Sequence, residues 1–165
     1  MSKQAGRREL LAEVNAEAPR QAGATVRLSI AIAHQLGMPL ADVQCMGLLA
    51  AGPSAPSDLA AQLGLTTGAM TKVLDRLQQA GYVTRAADPS DRRRIIIAAN
   101  PSGLAELGQA YGPMGEKIGR HLASYSAAEL QTVLGFMRAG REAADEEIAR
   151  IRQQGIHHAT RRPRP

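Results

Sequence analysis

Aromatic residues are almost missing from this chain: Tyr82, Tyr111, Tyr125 and Phe136 make up 2% of it, and there is no tryptophan. Single-stranded nucleic acid is gripped by stacking bases on interleaved aromatic rings, so any nucleic acid bound here is expected to be duplex. One cysteine, Cys45, excludes an intrachain disulfide. No apolar run reaches the roughly 18 residues that cross a bilayer, and no secretory leader is recognisable, so the expected location is cytoplasmic, with no membrane partner. His34, His121, His157 and His158 lack metal-ligand spacing to cysteine or carboxylates. Phosphate-binding glycine loops, Ser/His/Asp sets and credible carboxylate pairs are also missing. Neither metal nor cofactor is expected, and the expected role is not enzymatic.

What is present is aliphatic. Hydrophobic residues are 44% of the 165, drawn from Leu, Ile, Val, Ala and Met, the usual stock of packed helices. That length suits one compact unit with helical extensions. The net charge of +5 is mostly a tail effect, because Arg152, Arg161, Arg162 and Arg164 supply +4 of it. Within residues 65–98 the basic Lys72, Arg76, Arg85, Arg92, Arg93 and Arg94 oppose only Asp75, Asp88 and Asp91, a local excess able to neutralise phosphates.

The most informative stretch is residues 66–77. On a helix, Met70, Val73, Leu74 and Leu77 fall at i, i+3, i+4 and i+7 and form one apolar face. Thr67, Gly68, Thr71, Lys72 and Asp75 form the other, which is short, polar and free of bulk, as a helix lying against base-pair edges must be. Thr66 is a good N-cap for it. Before it, Pro56-Ser57-Asp58-Leu59-Ala60-Ala61-Gln62-Leu63 reads as a short helix, and Gly64-Leu65 as the turn of a helix-turn-helix.

Upstream, residues 1–18 carry a short amphipathic pattern around Leu10, Leu11 and Val14 that Pro19 is expected to interrupt. Residues 20–36 place Val26, Leu28, Ile30, Ile32, Ala33 and Leu36 on more than one side of a helix, as burial against two neighbours requires. Gly37 ends that helix, and the next starts at Pro39 and stops at Gly52-Pro53. Downstream, Tyr82-Val83-Thr84-Arg85 and Arg94-Ile95-Ile96-Ile97-Ala98 read as strands around a charged loop, with the isoleucine run packed inward. Helices follow over about 104–123, with Gly112-Pro113 and Gly115 expected to kink or interrupt the first, and over 126–153, capped by Ser126. In the last, Leu130, Val133, Leu134, Met137, Ala144, Ile148 and Ile151 keep roughly a three-four spacing broken by Arg141. The expected fold is mainly α with a small β-hairpin wing: a winged helix-turn-helix over 39–99, dimerisation helices at 20–36 and 104–153, an N-terminal extension over 1–19 and a disordered basic tail over 154–165.

In this order of elements the sequence resembles the MarR family of bacterial winged-helix regulators over about residues 28–107. The resemblance rests on Ser57-Asp58-Leu59-Ala60-Ala61-Gln62-Leu63-Gly64-Leu65-Thr66, on Leu74-Asp75-Arg76-Leu77 through Gly81-Tyr82-Val83, and on the wing Asp88-Pro89-Ser90-Asp91-Arg92-Arg93-Arg94. It implies a homodimer whose terminal helices form the dimerisation body, with each recognition helix, here 66–80, in a major groove. In the family's wing an Asp, any residue, then an Arg hold the tip. Those positions are Asp91 and Arg93, with Arg93 reaching a minor groove whose negative potential attracts guanidinium. The implied function is that of a ligand-responsive transcriptional regulator, a repressor, on a pseudo-palindromic double-stranded operator. The alternative is an effector-independent architectural DNA binder or a protein-interaction module.

The expected DNA-binding residues are Thr66, Thr67, Gly68, Thr71, Lys72, Arg76, Arg92, Arg93 and Arg94, with Asp91 orienting the wing. Gly68 departs from the Ser or Arg of many relatives. It either reduces discrimination or lets the helix backbone approach DNA closely. Arg94 serves structure or phosphate, and Asp75 is expected to pair with Arg76 or with a wing arginine. The family's effector cleft, between the dimerisation helices and the winged domain, would draw on His34, Met38, Met46 and Tyr111. Cys45 reads as a packing thiol in preference to an oxidant sensor.

Overall fold

The computed structural model describes residues 3–88, 91 and 93–159. Arg92, and the tail arginines Arg161, Arg162 and Arg164, lie outside the described residues. The order of elements is α1 (Lys3–Leu36), α2 (Leu40–Leu49), α3 (Pro56–Leu63), α4 (Thr67–Gln79), β1 (Val83–Ala87), β2 (Ile95–Ala99), α5 (Pro101–Leu122) and α6 (Ala127–Ala159). The chain divides into two compact units, Met1–Pro113 and Met114–Pro165.

The first unit is built on α4. Its predicted stripe is its buried face: Met70, Val73, Leu74 and Leu77 are each no more than 3% exposed. They meet Val43, Cys45, Met46 and Leu49 of α2, Leu59 of α3, Val83 of β1 and Ile97 of β2 in one continuous core. Burying such side chains contributes about 1.5–3 kcal/mol apiece, which holds together helices as short as the 8-residue α3. Gly64 closes α3 with φ +67, a left-handed cap that a residue with a β-carbon adopts only with strain. β1 and β2 pair antiparallel, Val83 opposite Ala99 through to Ala87 opposite Ile95.

A third, single-residue strand completes this sheet. Ser54, in the link between α2 and α3, donates its N–H to the Ile97 carbonyl at 3.0 Å and accepts the Ile97 N–H at 2.8 Å. The wing is therefore tied at its root to the helix-turn-helix. The expected inward isoleucine run needs correction. Ile97 is fully buried, Ile96 is half-buried on the opposite face, and Ile95, on the side of Ile97 but nearer the tip, is 53% exposed because it has passed the edge of the core.

Several helix limits also differ from expectation. α1 runs unbroken through Pro19. A mid-helix proline costs about 3 kcal/mol by removing one hydrogen bond and crowding the preceding turn. Residues 15–18 are all exposed, so water reaches the freed carbonyl and the helix continues. α5 likewise passes through Pro113, where the two units divide, and starts at Pro101 rather than near 104. Asn100 caps it: its carbonyl accepts the Leu104 N–H at 3.0 Å, and its side chain donates to the Gly81 carbonyl at 2.7 Å. Gly103 is thus inside the helix, where a β-carbon would stand 2.9 Å from both Met46 and the Tyr82 ring.

In the second unit, α6 opens with a reciprocal cap. Ser126 Oγ accepts the Glu129 N–H at 3.3 Å while Glu129 accepts the Ser126 N–H at 2.7 Å. The Ser126 hydroxyl also donates to Glu129 Oε2 at 2.7 Å, and that bond, followed by the one from the Ser126 N–H, holds the Glu129 carboxyl below its ordinary pKa. α6 continues past Gly155 to Ala159, beyond the expected end at 153. No helix among the described residues is long and apolar enough to cross a membrane.

Candidate nucleic-acid interface

The outward face of α4 begins at its cap. Thr66 Oγ1 accepts the Ala69 N–H at 3.2 Å, so this hydroxyl starts the helix. One turn on, Thr71 Oγ1 donates to the Thr67 carbonyl at 2.9 Å, which leaves its methyl group and its lone pairs facing outward. Thr67, Gly68, Thr71 and Lys72 are all exposed, and a β-carbon at Gly68 would meet nothing within 4 Å. Between its cap and Lys72 this face is open, small and nearly uncharged.

Arg76 does not belong to that open face. Its Nε donates to Asp42 Oδ2 at 3.0 Å and its Nη2 to Asp42 Oδ1 at 2.6 Å, while the Asp42 side chain is only 4% exposed. Hydrogen bonding to Asp42 raises the Arg76 pKa further. Arg76, expected as a DNA contact, forms a clamp between α4 and α2, because a buried carboxylate requires a paired cation, while its side chain stays 46% exposed. Asp42 itself escaped the sequence reading. It shares the buried i, i+3, i+4, i+7 stripe with Cys45, Met46 and Leu49, and an acid on an apolar stripe is the signal that a cation must come to it.

Asp75 takes the other predicted course and pairs with a wing arginine, Arg85 of β1, at 2.5 Å. At the wing tip, Asp91 Oδ1 accepts the backbone N–H of Arg93 at 3.1 Å, and the Asp91 carbonyl accepts the Arg94 N–H at 2.8 Å. The Asp91 carboxylate thereby fixes the backbone of the wing's turn. Arg94 closes the hairpin with its carbonyl, which accepts the Asp88 N–H at 2.9 Å, and both Arg93 and Arg94 remain exposed. Its backbone serves structure while its side chain stays available. Cys45 is fully buried, and burial, reinforced by the nearby Asp42 charge, pushes its thiol up to about 11, which matches a packing role.

The sequence and fold that carry this face and hairpin are similar to those of known proteins. A protein-family model described as the MarR family matches residues 36–94, from the end of α1 to the start of β2. YcgE, an uncharacterized HTH-type transcriptional regulator of Bacillus subtilis strain 168, is 32% identical over 130 residues, 78% of this chain and 84% of that protein. The chain belongs to the MarR family. The multiple antibiotic resistance protein MarR of Salmonella typhimurium is 26% identical over 98 residues, 59% of this chain and 65% of that protein. The transcriptional regulator Tm0710 of Thermotoga maritima shares the fold, with a TM-score of 0.56 at 18% identity over 83% of this chain and 98% of that one. Proteins of the MarR family are transcriptional regulators, not enzymes.

The four residues named for a MarR-type effector do not converge. Tyr111 lines an open cavity of about 690 Å³ within the first unit. Met38 and Met46 instead border a void of about 10 Å³, room for one water, and His34 lines neither and is exposed. The larger cavity is walled by Leu48 of α2, Leu63 of α3, and Leu104 and Leu107 of α5, with Ser29 and Gln44 beside Tyr111 as its polar edge. Ser29, Gln44 and the glycines Gly47 and Gly108 were missed because their side chains, or lack of them, meet only when three helices pack.

Proposed function

We propose that this MarR-family regulator is a ligand-responsive repressor that binds a pseudo-palindromic operator as a homodimer. The observation that carries the DNA reading is the division of α4: one face is entirely core, and the other is an exposed surface of small polar groups beside the exposed Arg93 and Arg94. Such a face has no packing partner and suits base-pair edges, while the wing supplies charge for the phosphates or the minor groove. The dimer reading is supported by α6, where Leu130, Leu134, Met137, Ile148 and Ile151 stay exposed at three-four spacing in the single chain. Twofold symmetry in the protein then implies twofold symmetry in its site, with half-sites about one helical turn apart. The cavity near Tyr111 is of ligand size and is the place for an effector.

The test is a duplex titration at several salt concentrations, with sedimentation to give the mass. Arg93→Ala is expected to weaken binding to every sequence and to flatten the salt dependence, whereas Thr71→Ala loses preference for the selected site. Met137→Glu is expected to shift the protein toward monomer and lower affinity for the full palindrome. Salt-insensitive binding that is equal for wild type and variants, or a broad footprint with no preferred site, would count against this reading.

A further inference from the structure

The cavity beside Tyr111 has a chemical character of its own. Among the described residues, no Lys, Arg, His, Asp or Glu lines it. A ligand carboxylate seated against these walls would lose part of its hydration and gain no counter-charge from them, whereas a neutral oxygen needs only a hydrogen bond. The polar edge is narrow. Tyr111 Oη donates to Ser29 Oγ at 3.1 Å, which leaves the Ser29 proton to donate and the Gln44 amide to donate or accept. Leucines supply most of the rest, and two gaps in the wall are glycines: a β-carbon at Gly47 or at Gly108 would meet nothing within 4 Å.

We infer that this cavity selects an uncharged, largely apolar molecule carrying one hydroxyl or carbonyl oxygen, bound at Ser29 and Gln44, and rejects the corresponding carboxylate. The selection follows from what the walls can solvate. The inference deepens the effector reading and takes its biological meaning from it, whereas the binding event itself is independent of DNA.

The probes are 1-naphthol, neutral at pH 7, and 1-naphthoate, of similar size and ionised at that pH, each titrated by calorimetry into the full-length protein. Saturable binding of 1-naphthol is expected, with 1-naphthoate weaker by at least about tenfold. Gly47→Leu and Gly108→Leu fill the space from opposite helices, and each variant that keeps its thermal transition is expected to lose 1-naphthol binding. Equal binding of the two probes, no saturable 1-naphthol binding, or undiminished binding by a folded filled variant overturns the inference; the comparison of probes on the wild type decides it even if neither variant folds. Duplex binding is measured on the same wild-type sample with and without 1-naphthol. Failure there counts against the regulator reading and leaves the cavity result standing.

Discussion

Arg76 on α4 closes a two-pronged ion pair on Asp42 of α2, and the two partners are unequally buried: the Arg76 side chain is 46% exposed and that of Asp42 4%. Removing either partner therefore has a different cost. Arg76→Ala strands a carboxylate in the core and is expected to destabilise by about 3 kcal/mol, the low end for a broken buried pair because Arg76 keeps one side in water. Asp42→Asn returns Arg76 to solvent and is expected to cost about 1 kcal/mol. Urea unfolding of both single variants and the double variant checks this asymmetry. Equal costs would mean that Asp42 is better solvated than its burial implies.

Gly68 is the second residue of α4, exposed in its first turn with open space at its β-position. Gly68→Ala is expected to stabilise the protein by up to about 1 kcal/mol, the limit set by a helix interior, and to raise Tm by up to about 2–4 °C for a chain of this size. The same methyl group would occupy space that a groove wall needs, so duplex affinity is expected to fall as Tm rises. Scanning calorimetry and a duplex titration on one preparation separate the two effects. Unchanged affinity would remove close backbone approach as the reason for glycine here.

Two side chains along α4 have their donors engaged within the protein: the Thr71 hydroxyl donates to the Thr67 carbonyl, and Arg76 is held by Asp42. With its hydroxyl proton committed, the exposed Thr71 has a methyl group to offer, whose natural complement in a major groove is the C5-methyl of thymine. Replacing one contacted thymine by uracil in a selected duplex is expected to cost about 0.8 kcal/mol, roughly fourfold in Kd. In Thr71→Ser that penalty is expected to disappear. A uracil effect of the same size in wild type and Thr71→Ser would assign the methyl contact to another residue.

Burial raises the Cys45 thiol from its ordinary 9.0 to about 11, so the folded state disfavours the thiolate. An unfolded chain loses this proton first as pH rises. The Cys45 contribution to stability is therefore complete below pH 9 and declines between pH 9 and 11 at up to about 1.4 kcal/mol per unit. Cys45→Ala is expected to lack that decline, and native Cys45 to resist alkylation at pH 8. Rapid labelling of the folded protein would contradict the packing role.

Features with a local period were legible in the sequence. The apolar face of α4 could be read because Met70, Val73, Leu74 and Leu77 repeat at the helical spacing, and the wing because a charged loop separates two β-forming runs. Features made by distant partners were not. Asp42 and Arg76 are 34 residues apart and meet only when α2 crosses α4. The Ser54 bridge involves one residue and so leaves no alternation to detect. Pro19 misled in the opposite way, since its penalty is local while its tolerance depends on how exposed the preceding turn is.

The Ser54 bridge has a further consequence. Ile97 stands opposite Arg85 in the hairpin and exchanges both of its backbone hydrogen bonds with Ser54 in the link ahead of α3, and Arg85 in turn holds Asp75 of α4. Hairpin and α4 are therefore linked through one strand and one ion pair. On the proposed DNA reading, a head linked in that way is sensitive to rotational phase: a single base pair inserted between the steps that the helix and the hairpin would touch turns one step by about 34–36° relative to the other, an error that works against these links.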